Sequence, residues 1–358
     1  MWHLAVREDD LGSADTMLRR YRGEVPWGYR AFLAYARQDP AGFTLLLDEA
    51  RRSENRQMQI AARNLMTYRD EFALADSILA LELQWRQRPA VRHGSLLMKA
   101  WLEVAQGRWE GALRAFRQAG PEGESGAKVE AAIAAALPFL EVPASDLREI
   151  RYRIEAWRPE ADPAERTGLA TALRPHLRDY LLGLLSARLG ESDEALRQAA
   201  ALERAAEPAG GAGVARGLGR TVRAAVAWQN RRPREVIRLL EAAPVEVPLE
   251  LISLPAYATA RPYGQEHARY LQAAALLAEG RREEALRWLT TGFQGAPNEF
   301  AWQAPISKLL GQLAETAGDR AAARTHYQRF LRLWRDADPA QQGQVDEVQK
   351  RLDRLASP

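Results

Sequence analysis

Apolar residues recur along the chain at helical spacing, in runs that stop at a glycine or an acidic turn and then resume. The clearest stretch lies between Pro262 and Asp338. In its first half Ala273, Leu276 and Leu277 share a face, Gly280 breaks the run, and Ala285, Leu286 and Leu289 take it up again. In its second half Leu310, Gly311 and Ala314 precede Gly318, and Ala323, Tyr327 and Phe330 follow. Each half reads as a helix hairpin. Gly280 and Gly318 suit the left-handed conformation just past a helix end, and Asp319 can cap the next helix by accepting backbone N–H bonds. Ala285 and Ala323 stand where two helices cross. A small side chain there lets the backbones approach, whereas Leu would overpack by roughly 1–3 kcal/mol. A hairpin this short cannot bury its apolar face alone and needs a stacked neighbour.

The same design recurs upstream. Leu4 and Val6 end one apolar face, Asp9-Asp10 is the turn, and Ala14, Leu18 and Tyr21 lie on a second helix. So short a first helix suggests a segment of a larger protein. Asp39-Pro40 is a cap followed by Pro at the first helical position. Residues 1–120 form the N-terminal repeats, and 121–207 form irregular middle repeats, with Val129 to Leu140 and Leu147 to Trp157 as a pair interrupted by Pro138 and Pro143. Asp162-Pro163 starts a short extra helix. Residues 208–264 hold a flexible loop around Pro208 to Gly213, a helix pair, and a connector from Pro244 to Gly264 with too many prolines for one helix. The best-matching pairs occupy 265–336. A polar helix over 338–356, opened by Asp338-Pro339, caps the exposed end.

Crossings fall at positions 14, 43, 75, 112, 149, 195, 236, 285 and 323, about nine pairs with spacings from 29 to 49 residues. Those at Ala112, Ala195, Ala285 and Ala323 are the structural anchors. The expected fold is all-α, a right-handed superhelical α-solenoid of about nine hairpins running as one array over 1–358.

Composition agrees with this reading. Ala, Leu, Arg and Glu dominate, and hydrophobic and charged residues make up 47% and 27%, as in a folded helical protein. The net charge is only +3, which makes no case for nucleic acid. Without Cys there is neither disulfide nor thiolate metal site. No run of about 18 apolar residues exists to span a membrane. Glu8, Asp9 and Asp10 interrupt any signal-peptide core. The location expected is cytoplasmic, or extracytoplasmic if a parent protein were membrane-anchored.

These residues resemble the tetratricopeptide repeat (TPR) family. The family's alternation of small and large positions appears as Ala100, Ala112, Phe116 and Ala119, then as Leu182, Gly183 and Ala195. It returns as Ala273, Leu276, Ala285 and Pro297, and as Leu310, Gly311, Ala323 and Tyr327. Most first helices lack the family's early large aromatic, and the period varies. The last segment, from Arg261-Pro262 onward, is similar to TPR arrays attached to bacterial serine/threonine protein kinases and transcriptional regulators. That resemblance implies a regulatory or scaffolding segment of a signalling protein. The chain itself has no glycine-rich phosphate loop, HRD or DFG.

Catalytic chemistry finds little support. The five histidines include no HExxH pair. Gly210, Gly211, Gly213, Gly217 and Gly219 have the wrong spacing for a dinucleotide loop and no preceding strand. No cofactor or metal is expected. Aromatics carry more. Phe32, Tyr35, Tyr68, Trp101, Tyr180, Trp228 and Tyr270 lie in first helices, on phases that face the inner concave surface of TPR arrays. With Asn64, Arg188 and Gln229 they suit a groove for a peptide or protein segment, although aromatic stripes also serve as core. The family's chaperone-tail clamp is not visible, since Ile60 stands where it needs Lys. The reading is a non-enzymatic interaction scaffold. Two alternatives stay open: an enzyme with its site in the concavity of an α-solenoid or toroid, and an RNA-binding helical repeat, which would favour a stricter period.

Overall fold

The structure is a computed structural model that describes residues 2–23, 25–52, 58–85, 89–120, 125–159, 168–205, 213–241, 266–291 and 299–356. Asp162-Pro163, most of the 208–213 loop and the whole Pro244–Gly264 connector lie outside these residues. Among the described residues there are nineteen α-helices and no strand. None of these helices is long and apolar enough to cross a membrane. The fold of the described residues is all-helical, with successive helices packed as pairs. The helices gather into two compact units, one of Met1–Ala105 with Gly111–Ala119, the other of Gln106–Glu110 with Gly120–Pro358.

The first unit is built from α1 (Trp2–Arg7), α2 (Leu11–Arg20), α3 (Trp27–Ala36), α4 (Pro40–Arg52), α5 (Met58–Arg69), α6 (Phe72–Gln84), α7 (Pro89–Ala105) and most of α8 (Trp109–Ala119). The acidic turns do what the residues imply: Asp10 and Asp39 accept from the backbone N–H of Ser13 at 2.9 Å and Gly42 at 2.8 Å. Trp2, Tyr29, Phe32 and Tyr68 form an edge-to-face cluster, with ring centroids 4.7 to 6.4 Å apart. One buried carboxylate ties three helices together. Glu82 on α6 accepts from the Met58 N–H that opens α5 at 3.0 Å and from the Ser95 hydroxyl on α7 at 2.7 Å. The side chain thus satisfies a backbone N–H that has no partner within its own helix.

The second unit holds α9 (Ser125–Ala135), α10 (Ala144–Glu155), α11 (Gly168–Arg188), α12 (Ser192–Arg204), α13 (Val214–Gln229), α14 (Pro233–Glu241), α15 (Glu266–Ala278), α16 (Arg282–Thr291), α17 (Gln303–Thr316), α18 (Arg320–Leu333) and α19 (Gln342–Ala356). Gly190, Gly280 and Gly318 take φ between 75° and 79° at the turns between paired helices. Each turn closes with a bond from the next residue's N–H to the carbonyl five residues back, as from Asp319 to Ala314 at 2.9 Å. Asp319 also caps α18 through the Ala322 N–H at 2.9 Å. Gly311 meets Tyr327 so closely that a Cβ would lie 2.4 Å from the ring. The Tyr327 hydroxyl donates to Glu315 at 2.6 Å.

Every expected crossing falls in the second helix of a pair, and Ala112, Ala195, Ala285 and Ala323 are fully buried. Phe43 and Glu149 are corrections, because both are only part-buried. On α4 the buried small residue is Ala50, and on α10 the packing is carried by Leu147, Ile150 and Ile154. Helix α9 also stops at Ala135 rather than running on to Leu140. Pro138 lacks the N–H that a continuing helix requires, and the chain runs irregularly until α10 begins at Ala144. The last helix starts at Gln342, after a short 3-10 turn over Pro339–Gln341, rather than at Asp338-Pro339.

Candidate functional site

The first unit uses its share of the sequence-picked residues as core. Phe32 and Trp101 are buried, and Trp101 packs edge-on against Phe116 at 6.1 Å. Tyr35 and Tyr68 are half-buried. Burial, then a hydrogen bond to Glu71, raises the Tyr35 phenol to about 12. Asn64 is 1% exposed, and neither its amide oxygen nor its amide nitrogen finds a protein partner. These five do not form an open aromatic groove.

In the second unit the inner packing is occupied by the chain's own segment from Leu137 to Val142. Arg188, at the end of α11, donates to the Leu137 carbonyl and to the Leu140 carbonyl, the latter at 2.5 Å. Gln341 pairs with Glu141 as a backbone strand would: the Glu141 N–H donates to Gln341 Oε1 at 3.0 Å, and Gln341 Nε2 donates to the Glu141 carbonyl at 2.7 Å. Gln344 donates to the Phe139 carbonyl at 2.8 Å. The Phe139 ring sits against Tyr270 at 5.6 Å and Trp302 at 5.1 Å, both edge-on. A segment too short for a helix thus has its polar backbone satisfied by side chains and its aromatic ring buried among aromatics.

The electrostatics follow from this burial. Desolvation lowers the Arg188 pKa, offset in part by Glu141. Desolvation, then the Arg188 charge, drops His267 to about 3, which leaves it a neutral imidazole at neutral pH. Burial raises the Tyr180 and Tyr270 phenols, and Glu266 adds to the effect at Tyr180. Tyr180 and Tyr270 are 3% and 8% exposed, so they are packing residues and leave little surface for a partner.

Beside the clasped segment runs an open cleft of about 710 Å³. One wall is Pro138, Glu141 and Val142. The rest of the lining includes Arg148 within α10, Arg188 at the end of α11, and Trp228 and Gln229 at the end of α13. Three sequence-picked residues, Arg188, Trp228 and Gln229, therefore converge here. Trp228 is half-buried and Gln229 exposed, and among the described residues neither side chain is engaged in a hydrogen bond. Arg148 and Arg231 also line the cleft. Sequence reasoning missed both, along with Phe139, Gln341 and Gln344. A short apolar run between Pro138 and Pro143 was the one available signal for the clasp. The glutamines gave none, lying some 200 residues from their partners. Among the described residues no group of three or more His, Asp or Glu could hold a metal ion.

No family model matches the chain, and no curated protein matches its sequence. Among solved structures it is similar to a chain in the crystal structure of the APC/C hetero-tetramer Cut9–Hcn1. The two are 13% identical, the match covers 99% of this chain and 83% of that chain, and the TM-score is 0.38.

Proposed function

We propose that the chain is a non-catalytic, TPR-like interaction scaffold that receives a segment of a partner protein in the second-unit cleft. The observation that carries this reading is the convergence of Trp228, Gln229, Arg148 and Arg231 on one open cleft with their polar groups unspent. A half-buried aromatic beside free donors is the composition of an interface anchor. The resemblance of the C-terminal part to arrays in bacterial signalling proteins supports placing the scaffold in a cytoplasmic regulatory assembly.

The test is site-specific photo-cross-linking in the source cells. A photoreactive residue at Gln229 should yield a discrete protein adduct. The same residue at Arg197, exposed on α12 and outside the cleft, should not. Adducts of equal yield at both positions, or only at Arg197, would refute the cleft as the binding site.

A further inference from the structure

The charges around the cleft are unevenly compensated. Neighbouring arginines are paired: Arg151 with Glu155 and Glu191, Arg232 with Glu235, Arg234 with Glu279. Arg188 is spent on the Leu137 and Leu140 carbonyls. The cleft's single carboxylate is Glu141, whose charge acts on Arg188. Among the described residues Arg148 and Arg231 have no acidic partner. Both are exposed cations lining a cleft that Trp228, Val142 and Leu189 also line.

Arg231 has a second peculiarity. Its φ is 56°, at the turn position that Gly190, Gly280 and Gly318 fill in the neighbouring hairpins. In the first unit the same position is taken by Asp9, Gln38 and Asp70, so a non-glycine residue there is tolerated in this chain. In the described second unit, however, Arg231 is the one residue with a side chain at positive φ.

We infer that the cleft takes an extended acidic protein segment, its carboxylates meeting Arg148 and Arg231 and an apolar side chain lying against Trp228. The inference rests on the cleft being the binding site proposed above. Arginine's planar fork matches a carboxylate in a bidentate way. Phosphate would satisfy the same forks. A nucleic-acid backbone, however, would leave the Pro138, Val142, Leu189 and Ala278 surfaces without an apolar partner. An acidic segment with an interleaved apolar residue uses both halves of the lining.

The experiment is fluorescence anisotropy with the full chain and four labelled probes. They are a twelve-residue peptide of alternating Glu around a central Leu-Phe pair, its Gln counterpart, its Lys counterpart, and a single-stranded RNA twelve-mer. The Glu peptide should bind at least about tenfold more tightly than the Gln peptide, and the Lys peptide should not bind. Arg148→Ala with Arg231→Ala should remove that preference and flatten the salt dependence. Both residues are exposed, so the double variant should keep the parent's unfolding curve, which is measured alongside. Equal binding of Glu and Gln peptides, with both lost in Trp228→Ala, would overturn the acidic preference and leave the cleft standing. Binding unchanged by all three substitutions would overturn the cleft itself. RNA bound as tightly as the Glu peptide, through the same two arginines, would overturn the choice of a protein segment. No binding of the Glu peptide at low salt would overturn the inference outright.

Discussion

Replacing Phe139 with Ala tests the clasped segment. The ring is 5% exposed and touches Tyr270 and Trp302 edge-on, 5.6 and 5.1 Å away between centroids. Truncating a buried Phe to Ala typically costs about 3–5 kcal/mol, from lost transfer energy and the cavity left behind. The two aromatic pairs account for roughly 0.5–1.5 kcal/mol each within that sum. The backbone bonds from Arg188, Gln341 and Gln344 involve no Phe139 side-chain atom. The loss should therefore stay near the lower part of the range, about 3 kcal/mol. That is a large fraction of the roughly 5–15 kcal/mol that holds a domain folded. Phe139→Leu, which keeps most of the volume, should cost no more than about 1.5 kcal/mol. Because two units share one chain, a single unfolding curve is not enough. Urea unfolding should be followed with hydrogen exchange at amides of α15 and α17, which report the second unit. A Phe139→Ala variant within about 0.5 kcal/mol of the parent would refute the burial on which the clasp depends.

Three further outcomes are expected. Glu82→Ala should destabilise the first unit by about 1–3 kcal/mol in chemical unfolding, because the Met58 N–H and Ser95 hydroxyl lose a buried acceptor. Gly311→Ala should cost roughly 1–3 kcal/mol, since the added Cβ would lie 2.4 Å from Tyr327; a neutral result would show that the α17–α18 contact is loose. Stability should also fall as pH drops from about 6.5. His267, held down to about 3, stays neutral in the fold and protonates on unfolding, and His326, lowered by burial and Arg329, takes its proton less readily in the fold than in the unfolded chain, so the unfolded chain binds more protons. Below the ordinary carboxylate range Glu194, Glu315 and Glu347, all lowered, add their own loss. His267→Gln should flatten the slope between pH 6.5 and 5, and an unchanged slope would show that His267 does not carry it.

The hairpins were legible because their signal is local. Helical periodicity, a turn glycine and a small crossing residue lie within some forty residues of one another, and Ala195, Ala285 and Ala323 stand buried where that pattern puts them. Phe43 and Glu149 were misplaced where the spacing drifts and no alanine marks the crossing. The site was legible only in part. Helix phase points a side chain inward but does not reveal what already fills the interior. Tyr270 lies inward, and Phe139 of the same chain meets it there. Trp228 and Gln229 were accessible to sequence reasoning because they sit at a helix end, beside the turn. Arg148 and Arg231 were not, since an unpaired arginine looks like a paired one until its neighbours are placed. The clasp by Gln341 and Gln344 depends on closure across some 200 residues, which no local pattern encodes.

Where a partner binds in the second unit is read most directly by hydrogen exchange on the full chain. In the free chain the Glu141 amide, bonded to Gln341, should already exchange slowly. When the partner segment captured at Gln229 is added, protection should rise in peptides covering 144–148 and 228–233, while that of 137–142 stays as it was. Fast exchange at Glu141 in the free chain, with protection appearing there only on binding, would contradict binding in the cleft: the inner face would then be the partner's site, and the segment Leu137–Val142 would not be its resident.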